Sequence, residues 1–212
     1  MNKDQSTKSR GRPIDNELQN HQKQKLIFAA HQLLNSKTYK SITIREIAEL
    51  AGTKSAMISY YFGNKEGLFI AVMECAVSQQ EQMLQTIIET TQPIKSFIAL
   101  MINMAIKNPG LLRFIHDEML SQESPLQHAF IQGMPNKISN FVPHLIQQEI
   151  DKGNFRVDLN AKYAAFSLVC MIMTPFVIAP IREQAWKISH QDLTEPQWLE
   201  HIYTLFINGC KP

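Results

Sequence analysis

The stretch Thr43-Ile44-Arg45-Glu46-Ile47-Ala48-Glu49-Leu50-Ala51-Gly52-Thr53-Lys54-Ser55-Ala56-Met57-Ile58-Ser59-Tyr60-Tyr61-Phe62-Gly63-Asn64-Lys65-Glu66-Gly67-Leu68 reads as two short helices and the start of a third. It opens on a capping box, with Thr43 covering an orphan amide and Glu46 reaching back to the Thr43 amide. The first short helix runs from Thr43 to about Leu50, Ala51-Gly52-Thr53 breaks it, and the second runs from Lys54 or Ser55 to about Phe62. Gly63 suits a left-handed stop, and Asn64 can cap the next helix. Two short helices joined at a Gly-containing turn make a helix-turn-helix. Ala48 is small where the helices cross, and Ile47, Ile58 and Phe62 face inward. With Ile58 inward, Ala56 and Tyr60 point outward, flanked by Met57 and Ser59. Lys54 and Ser55 project from the helix's amino end, where free amides suit a phosphate. Such a face fits the floor of a DNA major groove. The same hairpin also suits an ordinary helical bundle.

Thr43-Ile44-Arg45-Glu46-Ile47-Ala48, Ala51-Gly52 and Ile58-Ser59-Tyr60-Tyr61-Phe62-Gly63-Asn64-Lys65-Glu66-Gly67-Leu68 together resemble the amino-terminal domain of the TetR family of bacterial transcriptional regulators. The resemblance covers about residues 20 to 70 without a gap, and is nearest to the subset with a Tyr-Tyr-Phe-Gly or Tyr-His-Phe-Gly ending. Ser59 departs from it, standing where many members have Tyr. The resemblance implies an all-helical homodimer, a ligand cavity in the second domain and ligand-dependent release of double-stranded DNA. Carried over position by position, it makes Lys54, Ser55, Ala56, Met57, Ser59 and Tyr60 groove-floor positions. Thr43, Arg45, Tyr61 and Lys65 become phosphate contacts.

Outward from this stretch, the charge is uneven. Residues 1–66 hold eleven Lys and Arg against six Asp and Glu, whereas residues 67–212 hold ten against thirteen. A basic first third on a slightly acidic body is the footprint of a head that binds a polyanion. Ahead of the first helix, Arg10-Gly11-Arg12-Pro13 sets two guanidinium groups around a residue without a side chain, similar to the core of AT-hook motifs. Arg10 and Arg12 can enter the narrow minor groove of A·T-rich DNA, or simply be a solvated basic leader. Residues 1–15 read as a disordered arm, 16–66 as the DNA-binding domain and 67–212 as a helical effector and dimerisation domain.

The remainder is helical in pattern, so the expected fold is all-α. A first helix runs from Asn16 to about Asn35, and a long one from Lys65 to about Thr90. Further helices are expected near 93–107, 110–121, 125–151, 160–179, 181–190 and 195–208, several opening on Pro. No strand alternation or internal repeat is present.

The second domain is rich in soft apolar side chains, which either fill a core or line a cavity for a small hydrophobic effector. The candidates are Phe97, Met101, Met104, Phe114, Met119, Phe130, Met134, Phe141, Met171, Met173 and Phe176. His116, Asp117, His144 and Thr174 are candidate orienting groups. Ala161–Ile178 and Pro196–Asn208 are more apolar than one subunit requires, which fits a homodimer.

Several classes drop out. Cys75, Cys170 and Cys210 are widely spaced free thiols of a reducing, cytoplasmic setting, with no metal or cofactor motif. No phosphate loop, dinucleotide fingerprint, nucleophile elbow or H-E-x-x-H is found, so no catalytic residues and no enzyme are expected. His116-Asp117-Glu118 is contiguous on a helix, and its side chains fan out. Ala164–Ile181 lacks charge over eighteen residues, the lower limit for a membrane span; Ser167, Pro175 and Pro180 favour a buried, bent core helix instead. A helical adaptor that binds only protein stays open as the alternative function.

Overall fold

Capping and proline placement divide the chain into eleven α-helices among the described residues, with no strand. The computed structural model describes residues 16–119 and 125–212. The head holds α1 (Asn16–Leu34), α2 (Ile44–Leu50) and α3 (Ala56–Phe62) and leads into α4 (Lys65–Ile87). The body adds α5 (Pro93–Lys107), α6 (Pro109–Met119), α7 (Pro125–Gln132), α8 (Met134–Asp151), α9 (Ala161–Val177), α10 (Ala179–Ala185) and α11 (Pro196–Cys210). Short 3-10 turns lie at Tyr39–Ser41 and Asp192–Thr194.

The expected helix 125–151 is two helices. Gly133, at φ −81° and ψ −121° and so outside the helical region, interrupts it, and Pro135 opens α8. Asn160 caps α9 by accepting from the Lys162 and Tyr163 amides at 3.0 and 3.1 Å. No single helix among the described residues is long and apolar enough to cross a membrane. The uncharged stretch at 164–181 is split between α9 and α10, which meet at 74° after Pro175. Arg182, buried in this corner, donates from Nε to the Pro175 carbonyl at 2.9 Å, satisfying a group that the bend takes out of the helix.

Two hydrophobic cores result. The head core gathers Leu26, Leu34, Ile42, Ile47, Ile58, Leu68 and Phe69, then continues into Leu111, Phe114 and Leu126 of α6 and α7. A cut at residue 66 passes through this core. Phe114, read from the sequence as a cavity residue, instead lies 5.1 Å from the Tyr39 ring and 5.4 Å from Phe69. The body core is built by α5, α8, α9 and α11 around Phe97, Ile98, Ile146, Leu168 and Ile172.

Candidate nucleic-acid interface and ligand cavity

The head displays α3 by locking its surroundings with local hydrogen bonds. Thr43 Oγ1 accepts from the Glu46 amide at 3.2 Å, and the Thr43 amide donates to Glu46 Oε2 at 2.8 Å, closing the expected capping box. Lys37 also donates to Glu46. That bond, then those from Thr43, draw the Glu46 carboxyl down to about 2. At the turn Gly52 takes φ +65°, a conformation that a Cβ disfavours. The Thr53 amide then bonds back to the Ala48 carbonyl at 2.9 Å. Asn64 caps α4 by accepting from the Gly67 amide at 2.8 Å.

On this frame Ile58 is fully buried, whereas Tyr60 is 68 % exposed. Lys54, Ser55, Ala56 and Ser59 are exposed beside it, and Met57 is half-buried at the flank. The six expected groove-floor residues are thus brought together on α3 and the turn before it. Ser55 has helical dihedrals and its side chain caps nothing, so α3 proper opens at Ala56. Thr43 and Arg45 are exposed on α2, and half-buried Tyr61 has Lys23 Nζ 5.6 Å from its ring centroid.

Lys65 is differently engaged from a free phosphate contact. Its Nζ donates to the Tyr39 carbonyl and sits 4.3 Å from the Tyr39 ring centroid. Burial there pushes the ammonium below the usual lysine range. Its first duty is to fasten the 3-10 turn at Tyr39 to α4. Arg10 and Arg12 lie outside the described residues.

A cavity of about 640 Å³ lies between the two cores. Met73, Ala76, Leu111 and Phe130 reach it from the head's cluster, and Met101, Met104, Met134, Ile138, Val169 and Met173 from the body's. Of the expected effector residues, Met101, Met104, His116, Phe130, Met134 and Met173 line it. The side chain of Met119 is outside the described residues. Phe97 is fully buried in the body core with Phe141, their rings 6.4 Å apart. Met171 faces a second, shallower groove beside α11, Thr174 is exposed, and Phe176 meets His190. His144 is exposed, donating to or accepting from Gln148 at 3.1 Å.

The lining follows helix faces. Lys162, Phe166, Val169, Met173 and Val177 form one stripe of α9, and Leu111, Leu112, Ile115 and His116 one stripe of α6. Composition singled out the soft residues, while the spacing of these stripes was the signal for Lys162, Phe166 and Val169. His116 Nδ1 approaches Asp117 Oδ1 at 3.5 Å on the surface while Glu118 is buried, so the three do not converge. No cluster of three or more His, Cys, Asp or Glu fit for a metal exists among the described residues.

The reverse side of α6 grips the head. In its Nε2–H tautomer, His31 of α1 donates to Asn108 Oδ1 at 3.1 Å, and Asn108 Nδ2 donates to the Met104 carbonyl at 3.0 Å. Arg113 Nη2 donates to the Leu34 carbonyl at 2.6 Å, closing the last turn of α1. Gly110 abuts the same carbonyl so closely that an added Cβ would lie 2.4 Å from its oxygen. Asn108 also lines the cavity, so one residue touches both the cavity and the head.

Comparison with known proteins accords with this geometry. Residues 26–72 match the family model for bacterial regulatory proteins of the tetR family. Over these residues the chain is similar to the TetR family. TetR-family members are DNA-binding transcriptional regulators rather than enzymes. The chain is 24 % identical over 195 residues to the HTH-type transcriptional repressor NicS of Pseudomonas putida, covering 88 % of this chain and 91 % of NicS. In fold it is similar to the transcriptional regulator FadR of Bacillus subtilis, solved with stearoyl-CoA, at TM-score 0.74 and 18 % identity over 88 % of this chain and 98 % of FadR. It is also similar to AibR, solved with isovaleryl coenzyme A and operator DNA, at TM-score 0.61 and 17 % identity over 73 % and 85 % of the two chains.

Proposed function

We propose that this protein is a homodimeric repressor of the TetR family that leaves its operator when a small hydrophobic effector fills the cavity between its two cores. The observation that carries this reading is α6, which offers one face to the cavity and grips α1 through Asn108, Gly110 and Arg113 with the other. A ligand that moves α6 changes the seat of α1, and with it the attitude of α3. By linkage, an effector that binds better to the altered arrangement weakens DNA binding by the same factor. FadR and AibR, crystallised with acyl-coenzyme A molecules, support a cavity of this kind.

The dimer face of this proposal lies on α9 and α11. Tyr163 and Leu205 are exposed there in positions that a lone subunit leaves wet. Pairing through that face sets two heads on an inverted repeat, with half-sites about one helical turn apart or a multiple of it. Within each head, Lys54, Ser55, Ala56, Met57, Ser59 and Tyr60 read bases or pack on the groove floor, while Thr43, Arg45 and Tyr61 hold the phosphates and Lys65 fastens the turn behind them to α4. The 1–15 arm adds Arg10 and Arg12 in the flanking minor groove.

The test is binding of the full-length protein to a duplex selected from a random library, beside unselected DNA. Tyr60→Ala is expected to lose about tenfold to hundredfold on the selected duplex with little change on random DNA, as one base-edge contact carries ~1–3 kcal/mol. Arg45→Ala should weaken both duplexes alike and flatten the logarithmic salt slope by about one. Equal loss on both duplexes for Tyr60→Ala would remove α3 as the reading element.

A further inference from the structure

The cavity's polar inventory is one-sided. Apart from Asn108, which is committed to His31 and Met104, its polar lining among the described residues consists of His116, Ser139 and Lys162. No Asp or Glu among the described residues lines it. A cationic ligand would therefore enter an apolar space with no carboxylate to meet it, a heavy desolvation cost with no compensation. An anionic group fares differently. Lys162 stands in the first turn of α9, where the Asn160 cap accepts from its backbone amide. No ion pair among the described residues holds its ammonium.

The lining is also graded from wet to dry. Lys162, Ser139 and Phe166 are exposed, and Phe166 remains 72 % accessible although it borders the cavity. Met101, Leu111, Met134, Ile138 and Ala165 are buried. The first set marks the mouth and the second the floor. Five of the chain's ten methionines, Met73, Met101, Met104, Met134 and Met173, border the interior. Their unbranched thioethers repack around a flexible chain without fixing one shape. At a water-sized ~30 Å³ per methylene, about 640 Å³ has room for up to roughly twenty carbons, so a sixteen-carbon chain fits.

The geometry points to an amphiphile with an anionic headgroup as the cavity's ligand, its unbranched acyl chain among the methionines and its head at Lys162. This rests on the effector reading above and narrows it: neutral and cationic hydrophobes are excluded as preferred ligands. A free fatty carboxylate and an acyl thioester bearing a phosphorylated carrier share this chemistry.

Displacement of a fluorescent fatty-acid probe from the full-length protein tests it, with hexadecanoate, hexadecanol and hexadecylamine as competitors of one chain length. Hexadecanoate is expected to bind about tenfold more tightly than hexadecanol, and the amine more weakly than either. Lys162→Gln, an exposed and conservative change, should cost hexadecanoate about fivefold to tenfold while leaving hexadecanol unaltered. A hexadecanoyl thioester of coenzyme A, run beside the free acid, assigns the head by whichever binds tighter. If hexadecanol matches hexadecanoate, or Lys162→Gln leaves their ratio unchanged, the headgroup assignment is overturned while the cavity stands as an effector site. If no competitor binds, the effector reading itself falls, and this inference with it.

Discussion

The head and the body are built from the same kind of helix but packed to different ends. In the head, Leu26, Ile47, Ile58, Leu68 and Phe69 leave no accessible surface, and the turn is tied by hydrogen bonds between residues close in sequence. Where the body meets the head, the helices α4 to α9 leave about 640 Å³ unfilled and border it with methionine. Under the proposed function, a reader must hold α3 in one attitude against a groove, which a full core provides. A receiver must admit a guest, which a core incomplete at the seam with the reader allows. The difference teaches where a signal would enter under that proposal: an effector would supply packing that the seam lacks, at the point where α6 grips α1.

This contrast can be broken by paired truncations. Ile58→Ala removes buried atoms from a filled core and should cost about 2–5 kcal/mol. Met104→Ala borders existing empty space and should cost less than half as much. Chemical denaturation of both variants measures the difference; equal losses would mean that the body is packed as tightly as the head.

Next in size is the seam itself. Gly110→Ala sets a methyl against the Leu34 carbonyl, with backbone on both sides and no flexible side chain to give way. A loss of about 1–3 kcal/mol is expected from such overpacking. DNA affinity should fall with it, because the displaced helix is α1. Unchanged melting and unchanged duplex binding together would show that the grip of α6 on α1 is looser than its geometry.

The smallest effect concerns the capping box. Thr43→Ala should cost about 1 kcal/mol, a shift of roughly 2–4 °C for a chain of this size. Its pH dependence has a definite sign. The Glu46 carboxyl is held down to about 2, so its contribution is complete above its ordinary value near 4.5 and is lost as the pH falls from there through about 2. Thermal melts between pH 5 and 2 should therefore converge for wild type and Glu46→Gln toward the acid end. Parallel curves across that range would show that the bonds from Lys37 and Thr43 do not survive in solution.

The candidate reading face was legible because its signals are local. Thr43, Glu46, Gly52, Gly63 and Asn64 act on backbone within a few residues, and a short helix with one apolar stripe has a defined outer face. Lys65 shows where that reasoning stops. Its charge and position suggested a phosphate contact, but its ammonium is turned onto Tyr39, twenty-six residues away in the chain. The body was harder for the same reason on a larger scale. Phe97, Phe114 and Met104 are alike in hydrophobicity and helical setting, yet one fills the body core, one crosses into the head and one borders the cavity.

From the amino acids alone came the all-helical fold, the two short helices with their caps and turn, and the family resemblance, since each depends on contacts of short reach. The tertiary structure alone decided that the head's core extends into α6 and α7, which stripes of α6 and α9 meet across an opening, and that Lys162 stands at its mouth. Those features arise from several helices closing on one another, and no property of a single helix records what its neighbours leave unfilled.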